Sequence, residues 1–424
     1  MHVQIVVNLR EQVREVMSSH RSTLLSLLAI VLCLPMLVAS RGWAANVNPD
    51  TLTSRRAKSQ KVHETPHARK RMRRLARSRA HHVVRTARRR HHRYYQTWST
   101  SSYAQDITEG DVTTGEDPVV RQAAIDALGN MNGTVLAIEP TSGRILAMVN
   151  QKMALTAEAQ PCSTIKLSVA LAALSEGVIT KETEIKLGRR FHMNLTEALA
   201  HSNNAYFEAV GRELGFEKVS YYAHLFGLGE LAGYKIPGEQ PGVYPEEVIP
   251  AKLGGVGKMC SFGEGVSMTP LQLGALVSAI ANGGTLYYLQ HPTTPEAVAN
   301  FQPRIKRHLD IAPLIPQISD GMAGAVSYGT ARSVRVNFNE EEILGKTGTC
   351  SRAGTRFGWF ASYANTDEGR VVIVVFLEGG RPTYGPKAAE IAGVMYRGLY
   401  DHSFFADKPA PAANTEDAKT EGSR

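Results

Sequence analysis

Three consecutive apolar runs near the C-terminal end restrict how this chain can fold. They read "EEILGKTGTCS", "RFGWFASYA" and "RVVIVVFLEG", and together they span residues 341–379. β-Branched and aromatic residues are frequent in these runs, and short segments with Gly, Asn and Asp separate them, as is typical of neighbouring strands. The sequence therefore predicts a sheet in which three strands follow one another directly along the chain.

Further patterned segments add a second pair of strands and several helices. The stretch "GTVLAIEPTSGRILAMVNQ" holds two apolar runs around a Pro/Gly turn, which predicts a β-hairpin. "TPLQLGALVSAIANGG" starts with a capping Thr and ends in Gly, as a helix should. Helices are also predicted in "DPVVRQAAIDALG", "QPCSTIKLSVALAALSEG", "TEALAHSNNAYFEAVGREL", "KVSYYAHLFGLG" and "PKAAEIAGVMYRGLY". Two strands, many helices, three strands and a last helix indicate one mixed α/β layer structure.

The net charge of +9 is concentrated in one block of the 424-residue chain. Residues 55–93 contain sixteen Lys or Arg and one acid, so this block carries +15 and the rest of the chain carries −6. The block is poor in aliphatic residues and therefore cannot bury a core. Its basic and aromatic mixture also fits nucleic-acid binding. A solvated spacer that touches anionic lipid or cell-wall polymer fits an exported chain better, so nucleic acid is not the expected partner.

An uncharged apolar run, "TLLSLLAIVLCLPMLVAS", occupies residues 23–40 and follows three arginines. Small residues come after it, at Ala44 and Ala45. The pattern predicts either a secretory signal peptide or a short membrane anchor. The modest length of the run, together with Pro35, leaves both alternatives open.

These shifts in composition divide the chain into four parts. Residues 1–45 are predicted as the signal peptide or membrane anchor, and residues 46–116 as a basic, disordered linker. Residues 117–404 are predicted as the folded domain. Residues 405–424, rich in Pro, Ala, Glu and Lys, are predicted as a disordered tail.

Three short polar patterns lie in the folded part, and each is weak evidence when taken alone. Ser163 and Lys166 are three residues apart at the front of a predicted helix, so they share one face. The triplet "SNN" at residues 202–204 reads as a polar helix start. Lys346 begins "KTGT" inside an apolar strand, where its charge needs a partner or water. Gly348 would let another chain approach that strand closely.

In this order and at these separations, the three patterns resemble the serine penicillin-binding and β-lactamase superfamily. Its signature is a Ser-x-x-Lys, a Ser-x-Asn or related triplet, and a Lys-Thr-Gly strand. "AIEPTSGRILAMVN", "FGEGVSMTPLQLGALVSAIANGG" and "FGWFASYA" are similar to segments of cell-wall transpeptidases, so the resemblance covers about residues 133–400. It implies an α/β (α+β) fold, with an antiparallel sheet of about five strands, helices on both faces and an all-helical subdomain.

The resemblance implies catalytic roles for four residues. Ser163 would be the acylated nucleophile, and Lys166 the base that activates its hydroxyl. Lys166 can act as a base only if burial and nearby cations lower its pKa. Lys346 would be such a cation and would also attract the substrate carboxylate, while Ser202 would relay protons towards the leaving group.

The resemblance also implies how the substrate is bound. Asn204 would form a hydrogen bond with the peptide amide of the substrate. Thr347 and Thr349, with Gly348 between them, would bind the terminal carboxylate. The backbone N–H groups of Ser163 and Thr349 would form the oxyanion hole, and one such donor is typically worth about 3–4 kcal/mol of barrier height.

Members of this superfamily differ in the fate of the acyl-enzyme. A D,D-transpeptidase passes the acyl group to an amine of a neighbouring stem peptide, a D,D-carboxypeptidase or β-lactamase passes it to water, and a sensor retains it. Asn204 suits penicillin-binding proteins and class A β-lactamases, but the Glu-x-x-Leu-Asn loop of class A enzymes is absent between Ser202 and Lys346. The resemblance therefore implies a D,D-transpeptidase of the cell envelope that acts on D-Ala-D-Ala stem peptides, binds β-lactams and needs no cofactor.

Two departures from the family pattern keep other readings open. Transpeptidases usually have Gly before the nucleophile, whereas this chain has Cys162. A small residue other than Gly at this position is typical of class D-like β-lactamases and non-turnover sensors. Residues 46–116 are also too short and too basic for the additional N-terminal domain of larger transpeptidases. Dependence on partner proteins of cell-wall synthesis therefore stays open.

The four cysteines suggest no metal site, because no Cys or His spacing fits one. Cys162 and Cys350 each adjoin a motif, so both would line the cleft if the resemblance holds. They would then either form a disulfide across its floor in an oxidising compartment or remain two small buried thiols.

Overall fold

A computed structural model of the chain describes residues 98–364 and 370–405. The predicted leader (1–45), residues 46–97 of the predicted linker and residues 406–424 of the predicted tail lie outside the described residues. Within the described ranges, no helix combines the length and the apolar composition that crossing a membrane requires.

The described residues form a mixed set of strands, helices and short 3₁₀ turns. The strands are β1 (Gly133–Glu139), β2 (Arg144–Val149), β3 (Ile185–Lys186), β4 (His192–Met193), β5 (Thr285–Tyr287), β6 (Ile305–His308), β7 (Ile343–Arg352), β8 (Thr355–Ala364) and β9 (Val372–Gly379). The helices are α1 (Pro118–Leu128), α2 (Gln151–Thr156), α3 (Lys166–Ser175), α4 (Leu195–Ala200), α5 (Asn204–Leu225), α6 (Gly255–Phe262), α7 (Pro270–Ala281), α8 (Pro295–Ala299), α9 (Ile315–Ser327) and α10 (Gly385–Asp401). The 3₁₀ turns are Cys162–Ile165, Ala251–Leu253, Ala312–Leu314 and Arg332–Val336.

Five strands form one antiparallel sheet in the order β2-β1-β9-β8-β7. β1 and β2 pair as the predicted hairpin, with Val135 opposite Val149. β7, β8 and β9 pair in succession, which confirms the prediction of three consecutive strands. β1 also pairs with β9, with Leu136 opposite Val374, so the N-terminal hairpin extends the sheet beyond its last strand. β7 is left at the edge of the sheet.

Helices cover both faces of this sheet, because alternate residues of a strand point to opposite sides. In β9, Val374 and Phe376 join a buried cluster that includes α7, whereas Val375 and Leu377 join a second cluster with α1 and α10. Every residue of α7 is buried. On the α7 side, α3, α5 and α6 pack on one another and form the helical part of the molecule. The arrangement confirms the predicted fold class.

Capping side chains fix the starts of two predicted helices. Oδ1 of Asp117 accepts a hydrogen bond of 2.9 Å from the backbone N–H of Val119, so α1 begins at the following proline. At α7, the hydroxyl of Thr269 accepts from the N–H of Gln272, and the side chain of Gln272 accepts from the N–H of Thr269. Such reciprocal bonds satisfy two N–H groups that a helix start otherwise leaves unpaired.

The helical region predicted around "SNN" is two helices rather than one. α4 ends before His201, and Ser202 has a φ of 54°, in the left-handed region that does not continue a helix. Asn203 then caps α5, because its side-chain oxygen accepts a hydrogen bond of 2.9 Å from the N–H of Tyr206. A second break occurs at Gly215, where the φ of 77° kinks α5. The first break places Ser202 in contact with Lys166, the first residue of α3.

Residues 98–116, which the sequence places in the disordered linker, pack against the folded part. Asp111 and Glu116 form ion pairs of 2.9 and 2.7 Å with Arg121 of α1. Glu116 also lies 3.1 Å from Nε2 of His291, and Asp111 accepts hydrogen bonds from the backbone at Gln151. The packed unit therefore includes this segment, because its two acids are buried and complete the surroundings of a nearly buried arginine.

Candidate active site

The nucleophile proposed from the sequence lies in a buried turn, not on an exposed helix surface. Ser163 belongs to the 3₁₀ turn Cys162–Ile165, and Lys166 is the first residue of α3. Lys166 is fully buried, and Ser163 is 9% exposed. Nζ of Lys166 lies 3.0 Å from Oγ of Ser163, which is the distance expected of a nucleophile and its base.

The second motif meets the first through the break between α4 and α5. Nζ of Lys166 donates a hydrogen bond of 2.6 Å to Oδ1 of Asn204 and one of 2.8 Å to the backbone carbonyl oxygen of Ser202. The same nitrogen lies 3.1 Å from Oγ of Ser202. Ser202 and Asn204, the two residues of this motif with an expected role in the reaction, therefore both contact Lys166.

The third motif completes the cluster from the edge strand β7. Nζ of the fully buried Lys346 donates hydrogen bonds of 2.8 Å to Oγ of Ser202 and 3.0 Å to the carbonyl oxygen of Thr347. At Gly348 the strand passes close to the turn Cys162–Ile165, which we call the nucleophile turn. A Cβ added at Gly348 would lie 3.0 Å from the carbonyl oxygen of Pro161, the residue before this turn. The segment that approaches β7 at this glycine is thus the turn of the chain itself.

Burial sets the protonation of the two lysines. It lowers the pKa of Lys346 to about 7. The pKa of Lys166 is lowered well below its usual value, first by burial and second by the charge of Lys346, while the carboxylate of Glu208 opposes this shift. A lysine in such surroundings gives up its proton far more readily than one in water, as a catalytic base requires.

The neighbours of Lys166 match the hydrogen-bonding capacity of a neutral amine, which has two N–H donors and one lone pair. The two N–H groups of the amine can donate hydrogen bonds to Oδ1 of Asn204 and to the carbonyl oxygen of Ser202. The lone pair then remains for the hydroxyl proton of Ser163. Oγ of Ser202 lies within hydrogen-bond distance of both lysines and can pass a proton onward. The cluster can therefore deprotonate a serine and protonate a leaving group.

Two contacts of the third motif involve residues that no sequence pattern singled out. Oγ1 of Thr347 donates a hydrogen bond of 2.7 Å to Oγ1 of Thr330, whose own backbone N–H donates to the carbonyl oxygen of Ala200 at the end of α4. The N–H of Gly385, at the start of α10, donates a hydrogen bond of 2.7 Å to Oγ1 of Thr349. These contacts orient the two threonine hydroxyls of the motif.

Cys162 and Cys350 form a disulfide, although they are 188 residues apart in sequence. Cys162 precedes Ser163 and is fully buried, and Cys350 follows Thr349 and is partly exposed. The structure thus contains the first of the two alternatives predicted for this pair. Cys260 is a free, buried thiol.

A serine beside a buried lysine, set between a helical part and the edge of a five-stranded antiparallel sheet, defines the class of penicillin-recognising serine proteins. Residues 133–396, more than half of the chain, match the family described as "Penicillin binding protein transpeptidase domain". The chain belongs to this family, which confirms the resemblance drawn from the three motifs.

Two curated relatives are 27% and 23% identical to the chain over the matched residues. Stage V sporulation protein D of Bacillus subtilis is 27% identical over 315 residues, which are 62% of this chain and 48% of that protein. Peptidoglycan D,D-transpeptidase MrdA of Acinetobacter baumannii is 23% identical over 383 residues, which are 72% of this chain and 56% of that protein. The chain thus spans about half the length of these relatives.

Solved structures share the fold. A D,D-transpeptidase domain from Eggerthella lenta matches with a TM-score of 0.55 and 20% identity, covering 68% of this chain and 82% of that one. Pseudomonas aeruginosa PBP2, solved in complex with WCK 5153, matches with a TM-score of 0.57 and 21% identity, covering 71% and 78%. At these identities the likeness establishes the architecture.

Proposed function

We propose that this chain is a serine D,D-transpeptidase that cross-links peptidoglycan stem peptides and is acylated by penicillin. The observation that carries the proposal is the distance of 3.0 Å between Nζ of the buried Lys166 and Oγ of Ser163, with Ser202 and Lys346 beside them. The family, and relatives that are named D,D-transpeptidases, support the same activity.

Acylation begins when Oγ of Ser163 attacks the carbonyl carbon of the penultimate D-Ala of a stem peptide. Lys166 takes the hydroxyl proton, and the backbone N–H groups of Ser163 and Thr349 stabilise the negative oxygen that develops. Ser202 passes a proton to the nitrogen of the terminal D-Ala, which leaves. The products of this step are an ester on Ser163 and free D-Ala.

Substrate binding rests on the polar groups around the serine. Asn204 binds the peptide amide, and the charge of Lys346 attracts the terminal carboxylate. Thr349, whose hydroxyl oxygen accepts from the N–H of Gly385, donates its proton to that carboxylate, and Thr347 does the same once its proton turns away from Thr330. Gly348 keeps the strand close to the nucleophile turn. In the second step, an amine of a neighbouring stem peptide attacks the ester and forms the cross-link.

This chemistry assigns the activity to the cell envelope, where the substrate is found. We propose that residues 117–404, together with the packed segment 98–116, form the catalytic unit. The apolar run within residues 1–45 would export or anchor that unit, and the basic residues up to 97 would act as a spacer near anionic lipid or cell-wall polymer. Partner proteins of cell-wall synthesis would be separate chains that act on this catalytic unit.

The test is a time course of intact mass after purified residues 46–424 are mixed with benzylpenicillin. We expect a long-lived adduct on the wild type and none on Ser163→Ala. Ser175→Ala is the matched control, because Ser175 is an exposed serine at the end of α3, the helix that follows Ser163. That variant should form the adduct at the wild-type rate.

Other outcomes would assign the chain to a different class. Rapid loss of free penicillin with little adduct would mean a β-lactamase, the alternative that the residue before Ser163 favours. A stable adduct without any reaction of a D-Ala-D-Ala pentapeptide in the presence of an amine acceptor would mean a sensor. Release of D-Ala without transfer to the amine would mean a carboxypeptidase. Neither adduct nor turnover would overturn the proposal.

A further inference from the structure

We propose that the Cys162–Cys350 disulfide is a positioning element that holds the nucleophile against β7 and thereby sets the rate of acylation. The inference rests on the proposed function, because it concerns the reaction of Ser163. It predicts that the oxidised protein is acylated rapidly and the reduced protein slowly, while both remain folded and bind the same ligands.

The position of the bond in the sequence is the first reason. Cys162 is the neighbour of Ser163, and Cys350 is the neighbour of Thr349. The two backbone N–H groups assigned to the oxyanion hole, those of Ser163 and Thr349, are therefore each one residue from a bonded cysteine. With the Cα atoms of the cysteines 5.5 Å apart, the disulfide limits how far the two donors can move apart.

The backbone conformation of Cys162 is the second reason. Its φ is 52°, in the left-handed region that glycine adopts freely and other residues avoid. A residue with a side chain stays in this conformation only when its surroundings enforce it. The bond to Cys350 supplies that enforcement directly at the residue before the nucleophile.

The hydrogen bonds at Gln160, just before the nucleophile turn, lead to elements other than β7. Nε1 of Trp359, in β8, donates a hydrogen bond of 3.0 Å to the carbonyl oxygen of Gln160. The side chain of Gln160 donates one of 3.0 Å to the carbonyl oxygen of Phe262 in α6. These bonds hold the approach to the turn. The disulfide instead joins the turn itself to β7, the strand that carries Lys346 and the two substrate-binding threonines.

Reduction would release this constraint without changing any residue of the cluster. A dithiol reductant transfers two electrons and two protons to the bond, which yields the thiols of Cys162 and Cys350 and a cyclic disulfide of the reductant. Cys350 is partly exposed and Cys162 is fully buried, so an attacking thiolate approaches the bond from the side of Cys350. Once released, Cys162 is free to leave the left-handed region and to displace Ser163.

The experiment measures three quantities for benzylpenicillin by rapid-mixing mass spectrometry: the acylation rate at saturation, the dissociation constant before acylation, and the fraction of protein acylated. The proteins are the oxidised wild type, the wild type reduced with dithiothreitol, Cys162→Ala/Cys350→Ala and Cys162→Gly/Cys350→Ala. We expect the acylation rate to fall about tenfold on reduction and in the Ala/Ala variant, with the other two quantities unchanged.

The Gly/Ala variant separates the backbone conformation from the bond. Glycine tolerates a φ of 52° but does not tie the turn to β7, so this variant should acylate faster than the Ala/Ala variant and more slowly than the oxidised wild type, and dithiothreitol should not change it. Circular dichroism monitors folding in every sample. If the Ala/Ala variant does not fold, the comparison of oxidised and reduced wild type decides the outcome.

Two results would overturn the inference. Equal acylation rates for oxidised and reduced wild type would show that the bond does not position Ser163. A fall in the folded or acylated fraction at an unchanged rate would assign the bond to stability alone. Failure of the proposed function is distinguishable from both, because the oxidised wild type would then form no adduct at Ser163.

Discussion

At the scale of single residues, the proposed active site contains two lysine side chains whose charged forms cost free energy to bury. Lys166 and Lys346 are both fully buried, and each is hydrogen bonded to Ser202. Burial of a charged group without full compensation favours its neutral form. The same burial that lowers stability thus prepares Lys166 to accept a proton, and the nearby charge of Lys346 strengthens this effect.

We predict that two substitutions move the pH dependence of acylation in opposite directions. Acylation requires neutral Lys166, so its rate rises with pH as Lys166 loses its proton. Lys346→Gln removes a positive charge that lowers the pKa of Lys166, so the acidic limb should move to higher pH and the rate at pH 7 should fall at least tenfold. Glu208→Gln removes a negative charge that raises this pKa, so the limb should move to lower pH.

The measurement is the second-order rate constant for penicillin acylation between pH 5 and pH 10. The charge-conserving Glu208→Asp serves as the control, and its profile should stay closest to that of the wild type. Shifts of both Gln variants in the same direction would contradict the assignment of Lys166 as the base.

At the scale of secondary-structure elements, the site is an approach of three chain segments. The nucleophile turn, the break between α4 and α5, and the edge strand β7 each supply one motif. The break exists because Ser202 leaves the helical region of backbone conformation and Asn203 caps the next helix. The turn and β7 approach closely at Gly348, where an added Cβ would lie 3.0 Å from the carbonyl oxygen of Pro161 and 3.2 Å from the side chain of Thr164.

We predict that Gly348→Ala lowers the acylation rate at least tenfold, because the added Cβ would lie 3.0 Å from the carbonyl oxygen of Pro161. A backbone oxygen cannot rotate away, so the turn and the strand must separate by a few tenths of an ångström, and small displacements of reacting groups reduce rates steeply. Overpacking of this kind also costs about 1–3 kcal/mol of stability.

Gly188→Ala is the control for this substitution. Gly188 is exposed, and a Cβ there would meet its nearest neighbour at 3.7 Å, an ordinary contact distance. Acylation by this variant should match the wild type within about twofold. An unchanged rate in Gly348→Ala, measured by the same mass time course, would mean that the turn and the strand adjust independently.

At the scale of the whole molecule, the segment before α1 is part of the folded unit. Asp111 and Glu116 neutralise Arg121, whose side chain is only 12% exposed. Removal of one partner from a buried ion pair typically costs about 3–5 kcal/mol, because the remaining charge is left without compensation.

We predict that a chain beginning at residue 117 is less stable than one beginning at residue 98 by about 3 kcal/mol or more, as measured by urea unfolding. Arg121→Met in the shorter chain should recover part of this loss, because it removes the charge that has lost both partners. Equal stability of the two chains would show that residues 98–116 lie on the surface of the unit without contributing to it.

Local patterns of residues were enough to predict the strands, the helices and the chemical groups of the site. The runs at residues 341–379 are strands because their apolar and β-branched residues suit a buried sheet, and α7 begins where Thr269 and Gln272 can cap it. The order and spacing of the three motifs are specific as a set, and this made it possible to recognise Ser163, Lys166, Ser202, Asn204 and the "KTGT" strand.

The way in which these groups meet depends on contacts between distant segments of the folded chain. The pairing of β1 with β9, the disulfide across 188 residues and the packing of residues 98–116 join segments far apart in sequence, and no local pattern encodes such contacts. Thr330 has no distinguishing sequence context, and Glu208 could be related to the site only through its helical spacing of four residues from Asn204. The pKa of Lys166 likewise depends on burial and on a charge 180 residues away, because electrostatic energies follow distance in space and not along the chain.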